Sequence, residues 1–292
     1  MCYRKKDLSI DHSVKLFGEF TLERALCGIS GAGFRCVELA SMPGMCEHVM
    51  PERMTEQDFR KLEFLLQEFD LRPMSMSAHV RLVDKDADVE KQAYELLKKR
   101  IQLAGRLGAR IVVTSTGTGA GEFEPKDIER FYENIGQAID WSKENNITIA
   151  LENDGGITLT GRDCFDVVGK INSSSIRINY DTANYRYYTG EFPYDDFTSA
   201  IKYVAHVHLK DHIGGKETYN FPALGDGEID FGTILKICED HGFKGPFSVE
   251  SGYSGTGGDR LKSGLENPTE VDEALRKSFL FLKKLDWIGE CE

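Results

Sequence analysis

The chain has 292 residues, which is long enough for one large α/β domain or for two domains of average size. Its 48 acidic and 36 basic residues give a formal net charge of -12. Because a protein that binds nucleic acid through its phosphates needs a basic surface, this charge argues against a nucleic-acid partner.

Seven cysteines occur without a CxxC motif, and several fall inside apolar periodic segments. This pattern favours free thiols in a reducing compartment over a disulfide framework or a zinc ribbon. The N-terminus has basic residues but no apolar run behind them, and no window reaches about 18 consecutive apolar residues. We therefore expect a cytoplasmic protein without a membrane partner.

Segments with strand and helix patterns alternate along the chain. The glycine-rich stretch 117–121 lacks the lysine and the spacing of a P-loop, so we interpret it as an ordinary loop. Residues 251–260 form a loop long enough to act as a lid. The predicted strands are 7–11, 34–40, 72–79, 109–115, 147–152, 176–181, 205–210 and 247–250, and the predicted helices are 21–33, 55–69, 89–107, 127–145, 164–171, 194–201, 231–241 and 269–285.

This order predicts the fold. Strict alternation of strand and helix implies a parallel sheet. Eight such units in a chain of this length indicate an α/β protein with a single closed (β/α)8 TIM barrel, and we assign residues 1–292 to one domain. In such a barrel the active site lies at the carboxyl ends of the strands.

Four of the predicted strands carry a polar face that ends in a metal-ligand type of side chain. Alternate residues of a strand point to opposite faces, so the polar face of each strand turns into the barrel while the apolar face packs on the helices. The polar faces of strands five to eight end in Glu152, Asp181, His208 and Glu250. We therefore expect these four side chains to meet at one mouth of the barrel and to bind one divalent metal.

The joint pattern carries more weight than any one residue. A single Glu after an apolar strand is usually only a solvated strand end, but three carboxylates and an imidazole at one mouth must be paired or metal-bound. Oxygen-rich ligation with one imidazole suits Mn²⁺ or Mg²⁺, and Co²⁺ or Zn²⁺ also fit. His206 could replace His208 as the ligand, although we expect it to be a buried packing or supporting residue.

Further polar residues are candidates for substrate binding. His79 could contact substrate or a second metal, and Glu38 is a similar candidate; for both, an ordinary interior residue is the alternative. Lys210 suits an anionic or enolate oxygen, the alternative being a salt bridge to Glu152 or Glu250. Asn184 and Asp211 are candidates by position alone.

The sequence resembles the sugar phosphate isomerase/epimerase superfamily of xylose isomerase-like barrels. The resemblance rests on the Glu250 strand and on the motifs VELA, SAH, ALEN, NYDTAN, HVHLKD and GDGEIDF. The likeness covers essentially the whole chain, and HLKD followed by GDGEIDF is its most specific part. The resemblance implies a Mn²⁺-type metal held by Glu152, Asp181, His208 and Glu250. It also implies that Glu152 and Glu250 serve as the acid/base pair, as in the ketose 3-epimerases.

These expectations define a reaction class. A proton next to a carbonyl can be moved through a metal-stabilised enediolate, with carboxylates removing and returning it. We therefore predict a metal-dependent isomerase or epimerase of a sugar or cyclitol. A keto-sugar or keto-inositol dehydratase or lyase, like the related inosose dehydratases, is the alternative. A non-catalytic sugar-binding barrel and an apurinic endonuclease-like protein are less favoured, and the oligomeric state, homo-oligomer included, stays open.

The chain departs from the superfamily at two positions. Asn184 stands where several relatives carry a histidine, which puts in doubt the substrate or metal contact of that histidine. Pro222 lies where the related apurinic endonucleases place further metal histidines. Together with the acidic charge, this predicts one metal and no DNA repair site.

Overall fold

The computed structural model describes residues 10–13, 20–117, 123–250 and 268–287. The lid predicted at 251–260 lies outside the described residues, as does the glycine-rich loop beyond Gly117. Within the described ranges, no helix has both the length and the apolar character needed to cross a membrane. The five cysteines in these ranges are thiols outside any disulfide bond.

Eight parallel strands pair in sequence order and close into a barrel, because β1 hydrogen-bonds to both β2 and β8. The predicted (β/α)8 barrel is thereby confirmed, whereas the assignment of the entire chain to one domain stays a prediction. The strands are β1 (Ile10–Ser13), β2 (Cys36–Ala40), β3 (Arg72–Arg81), β4 (Ile111–Ser115), β5 (Thr148–Glu152), β6 (Ile176–Asp181), β7 (Val204–Leu209) and β8 (Phe247–Val249).

The helices surround the barrel, and their first turns follow from local sequence. In α2 and α5, Thr55 and Thr160 form capping boxes with Asp58 and Asp163, which satisfy backbone N–H groups at the helix start. The helices are α1 (Leu22–Ala32), α2 (Glu56–Glu68), α3 (Ala87–Arg106), α4 (Pro125–Asn145), α5 (Gly161–Ile171), α6 (Thr182–Thr189), α7 (Tyr194–Ala200), α8 (Phe231–Asp240) and α9 (Pro268–Lys284).

Helix α6 was not predicted. It begins directly after β6, with Asp181 as its N-cap, and it ends at Gly190, whose φ of 84° is left-handed. The segment TANYRYYT has no apolar stripe, so the periodicity used to find the other helices is missing here. The Asp before the helix and the Gly after it were the available signals.

The two faces of the strands separate two environments. The apolar faces of β5 to β8, including Leu151, Ile178, Val207 and Phe247, belong to the main core between barrel and helices. Inside the barrel, Ile111, Val113 and Ala150 form a small separate apolar cluster. Polar side chains on the inward faces, such as those of Glu38, Asn179 and His206, are buried in the barrel interior, where each needs a hydrogen-bond partner.

Candidate active site and metal centre

The four predicted ligands converge at the carboxyl ends of the last four strands. Glu152, Asp181 and His208 lie on β5, β6 and β7, and Glu250 follows β8, with its backbone N–H bonded to the Leu209 carbonyl. One ligand atom from each residue lies within 4.8 Å of the others, and all four residues are buried. This is a donor set of three carboxylates and one imidazole.

The two oxygens of Asp181 have different environments. Oδ1 accepts hydrogen bonds from the backbone N–H groups of Ala183 and Asn184, both at 2.8 Å. Oδ2 is buried and accepts no hydrogen bond, with its nearest cation, Lys210 Nζ, at 3.5 Å. A buried carboxylate oxygen without a donor is costly, and a divalent cation among the four ligands would satisfy it. The residues present therefore fit such a cation.

Burial and neighbouring charges shift the ionisation of the site. Burial raises the pKa of Asp181 to about 6, and the carboxylates of Glu250 and Glu152 act in the same direction. Burial by itself would lower the pKa of His208, but the charges of Glu38 and Glu152 outweigh it and raise this pKa well above its ordinary value. Without a metal, a cationic His208 therefore offsets part of the carboxylate charge.

The His208 ring lies between two groups of carboxylates. Its Nδ1 is 3.1 Å from Glu250 Oε2, 3.4 Å from Glu152 Oε2 and 3.9 Å from Asp181 Oδ2. Its Nε2 is 3.1 Å from Glu38 Oε2. Glu38 thus lies on the opposite side of the ring from the candidate ligand set, and its role in substrate binding stays a prediction.

Glu152 is held by two amide side chains and one imidazole. Asn184 Nδ2 donates to Oε1 at 3.0 Å. Asn179 Nδ2 donates to Oε2 at 2.9 Å, and His79 Nε2 is within hydrogen-bond distance of the same oxygen at 3.0 Å. His79 and Asn184, both predicted as substrate contacts, are therefore in the site and touch an acid/base candidate. Within the described residues, His79 Nδ1 has no hydrogen-bond partner.

Glu250 is instead paired with a cation. Lys210 Nζ donates to Glu250 Oε1 at 2.8 Å and lies 4.7 Å from the centre of the Phe221 ring. Burial would lower the pKa of Lys210, but Asp181 and Glu250 raise it well above its ordinary value. The two glutamates thus differ: Glu152 Oε1 accepts a hydrogen bond from the Asn184 amide, whereas Glu250 Oε1 accepts one from the Lys210 ammonium.

Two residues that sequence reasoning did not select also belong to the site. Asn179 lies on the inward face of β6 and, besides Glu152, contacts His206 Nδ1 at 2.8 Å. Tyr188 donates to the Asp154 carbonyl at 2.8 Å, and Asp154 forms a further ligand-type group with His79 and Glu152. Asn179 was visible on the polar face of IRINYD, whereas Tyr188 depends on helix α6.

Both carboxylate oxygens of Asp211 bind backbone N–H groups, and its predicted role in substrate binding stays a prediction. Its Oδ1 accepts hydrogen bonds from the N–H groups of His212 and Ile229, and its Oδ2 accepts from Gly225 and Gly227, all between 2.9 and 3.1 Å. Both oxygens are therefore committed to the backbone of the loop before α8. The words HLKD and GDGEIDF are linked by this contact, which explains why they occur together.

Comparisons with known proteins agree with this geometry. A family model described as "Xylose isomerase-like TIM barrel" matches residues 29–285. The L-ribulose-5-phosphate 3-epimerase UlaE of Shigella flexneri serotype 5b is 23% identical over 181 residues, which cover 61% of this chain. Because the match covers 63% of that relative, the chain spans less than two thirds of its length.

Two solved structures share the fold along nearly the whole chain. D-allulose 3-epimerase from Methylomonas sp. in complex with D-allulose is 19% identical, with a TM-score of 0.73, and covers 97% of this chain and 99% of its own. The IOLI protein with a binding zinc atom is 15% identical, with a TM-score of 0.74, and covers 97% of this chain and 100% of its own. At these identities the likeness shows the shared barrel.

Proposed function

The chain belongs to the xylose isomerase-like TIM barrel family, and on that basis we propose that it is a divalent-metal-dependent isomerase or epimerase of a sugar or cyclitol. The observation that carries the proposal is the meeting of Glu152, Asp181, His208 and Glu250 within 4.8 Å at the barrel mouth. A sugar epimerase among the relatives and another among the structural neighbours support the reaction class.

Glu152, Asp181, His208 and Glu250 would hold the metal, for which Mn²⁺ is our first expectation from the oxygen-rich donor set. When bound, the cation would polarise a carbonyl and its neighbouring hydroxyl and so acidify the C–H between them. The remaining chemistry belongs to the side chains of the chain itself.

Glu152 and Glu250 are the proposed acid/base pair. Glu152 ends β5 and Glu250 follows β8, with β6 and β7 between them, so they would approach a substrate in the mouth from different sides. One carboxylate removes the proton at the carbon beside the carbonyl, and the other returns a proton to the opposite face, which inverts that centre. If one carboxylate shuttles the proton between neighbouring carbons, the product is an aldose–ketose isomer.

The neighbours of this pair would orient the substrate. His79 and Asn184 touch Glu152, and Lys210 touches Glu250, so a sugar that reaches the pair also meets these three side chains. Amide and imidazole donors suit hydroxyl groups, whereas the ammonium suits an oxygen that gains negative charge. The same ammonium beside Glu250 could protonate a departing hydroxyl, which is the observation that keeps a dehydratase as the second candidate.

The test is solvent deuterium incorporation, followed by mass spectrometry, into a panel of ketoses, aldoses and keto-cyclitols with the Mn²⁺-loaded protein. Exchange without other mass change supports proton transfer and identifies the substrate class. Loss of water from a substrate supports the dehydratase. The absence of both across the panel would contradict the proposed chemistry for these compound classes.

Variants of the two glutamates test their roles. We expect Glu152→Gln and Glu250→Gln each to lower the exchange rate by at least about 100-fold, because general acid–base catalysis typically contributes 10²- to 10⁴-fold. Glu90→Gln is the matched control, since Glu90 is equally buried but pairs with Arg130 on the outer helices. Full exchange in Glu152→Gln would remove that residue from the mechanism.

A further inference from the structure

Both carboxylate oxygens of Glu38 have polar neighbours inside the barrel. It lies on β2 and is fully buried. Ser77 Oγ donates to its Oε1 at 2.7 Å, and Ser75 Oγ donates to its Oε2 at 2.9 Å. The same Oε2 lies 3.1 Å from His208 Nε2, and the second buried imidazole, His206, is farther away at 3.9 Å. Two serines of β3 thus fix the carboxylate against His208.

The contacts on the two sides of the His208 ring differ in kind. Nε2 faces one buried carboxylate that already accepts two serine hydroxyls, whereas Nδ1 faces Glu152, Asp181 and Glu250. Asn179 Nδ2, which donates to Glu152, also lies 3.1 Å from Nδ1. When the Nδ1 lone pair is directed at a cation among these carboxylates, the neutral ring carries its one proton on Nε2, where Glu38 Oε2 at 3.1 Å is the acceptor.

We infer that Glu38 is a positioning residue. It accepts a hydrogen bond from the Nε2–H of His208, fixes that tautomer and so directs the Nδ1 lone pair to the position among the three carboxylates. The inference rests on the proposed function, because it gives His208 its role as a metal ligand. A carboxylate behind a ligating imidazole fixes the ring orientation and raises the basicity of the ligand, and loss of such a partner typically costs about 10- to 100-fold in metal affinity.

This role explains why Glu38 is buried without touching the mouth. A substrate contact would need an oxygen free to face the substrate, but Ser75, Ser77 and His208 occupy both oxygens of Glu38. The negative charge of Glu38 strengthens the hydrogen bond from His208 Nε2–H, because the neutral amide of a glutamine would accept it more weakly. The contact therefore acts on the metal through His208.

The test compares metal affinity and the state of the His208 ring. Mn²⁺ binding is measured by calorimetry for the wild-type protein, Glu38→Gln and Glu38→Ala. The Zn²⁺-loaded, ¹⁵N-histidine-labelled proteins then report the Nε2–H signal of His208, assigned through His206→Gln. We expect Glu38→Gln to weaken Mn²⁺ binding by at least about tenfold and to move the Nε2–H signal, with a larger loss in Glu38→Ala.

Glu90→Gln serves as the control for loss of a buried carboxylate, because it should lower stability while leaving the Mn²⁺ affinity and the His208 signal unchanged. Unaltered affinity and an unmoved signal in Glu38→Gln would overturn the inference while leaving the proposed function intact. An affinity loss in Glu38→Gln no larger than in Glu90→Gln, with the signal unmoved, would overturn it as well. A wild-type protein that takes up neither Mn²⁺ nor Zn²⁺ would overturn both proposals.

Discussion

At the scale of single residues, the site is built from side chains that each serve two neighbours. Asp181 caps helix α6 with one oxygen and presents the other to the ligand set. Asn179 joins Glu152 to His206, and Lys210 joins Glu250 to Asp181. Because ordering a side chain costs conformational entropy, these shared contacts hold the candidate ligands in place without a bound metal.

The two interior histidines provide a prediction at this scale. We expect His208→Ala to weaken Mn²⁺ binding by more than the roughly 100-fold upper range for supporting residues, and His206→Ala to stay within that range. The reason is that His208 Nδ1 faces all three carboxylates, whereas His206 Nδ1 bonds to Asn179. Calorimetric titration with Mn²⁺ measures both, and the reverse order would make His206 the ligand.

At the scale of elements, the loop before α8 is organised by one carboxylate. Asp211, at the end of the HLKD word, accepts four backbone N–H groups, three of them from the loop 225–229. A Cβ at position 227 would come within 2.2 Å of Asp211 Oδ1, so only glycine allows this approach. Gly227 is therefore required by this set of hydrogen bonds, which we call the Asp211 clamp, whereas Gly225 has a left-handed φ of 87°.

The clamp predicts a loss of stability when the carboxylate is replaced. In Asp211→Asn the amide group would direct N–H donors at backbone N–H groups and leave some of them unsatisfied. We expect the free energy of unfolding to fall by about 1–3 kcal/mol in urea denaturation. Asp226→Asn is the control, because Asp226 lies on the same loop with its carboxylate paired to the exposed Lys277. An equal loss in both variants would argue against the clamp.

The strand pattern predicts the barrel and the convergence of its strand ends, but not helix α6 or the contacts of Asp211 and Glu38. The alternation of polar and apolar residues in β5 to β8 was sufficient for the barrel and for the convergence of the four ligands, since a closed parallel barrel brings strand ends together. Helix α6 was missed because its packing does not follow an apolar stripe. The contacts of Asp211 and Glu38 could not be predicted, because each depends on a partner more than ten positions away in sequence.

At the scale of the whole molecule, His212 links stability to pH. Burial lowers the pKa of His212 below its ordinary value of 6.5, and its Nε2 lies 2.6 Å from the Thr218 carbonyl. The unfolded chain therefore takes up a proton that the folded protein resists. The stability from neutral His212 is complete above about pH 6.5 and is lost as pH falls below that value.

We therefore expect the unfolding free energy to decrease from pH 7.5 to pH 5.5, with a contribution from His212 of at most about 1.4 kcal/mol per pH unit. His212→Gln cannot titrate, and its amide can still donate toward Thr218. Urea titrations at several pH values should give a shallower slope for this variant than for the wild type. Identical slopes would show that His212 does not carry this dependence.

The closure of the barrel has a consequence for its internal motions. Within the described residues, β1 has four residues, β8 has three, and three residue pairs join them, whereas β5 and β6 lie between longer strands. Amide hydrogens exchange with solvent through the local openings that cost the least free energy. We therefore expect residues 247–250 to exchange faster than residues 148–152. Hydrogen–deuterium exchange followed by mass spectrometry measures this difference. Brief local openings would then move Glu250 out of the site without displacing Glu152, Asp181 or His208. Of the proposed acid/base pair, Glu250 would be intermittently absent and Glu152 would stay in place.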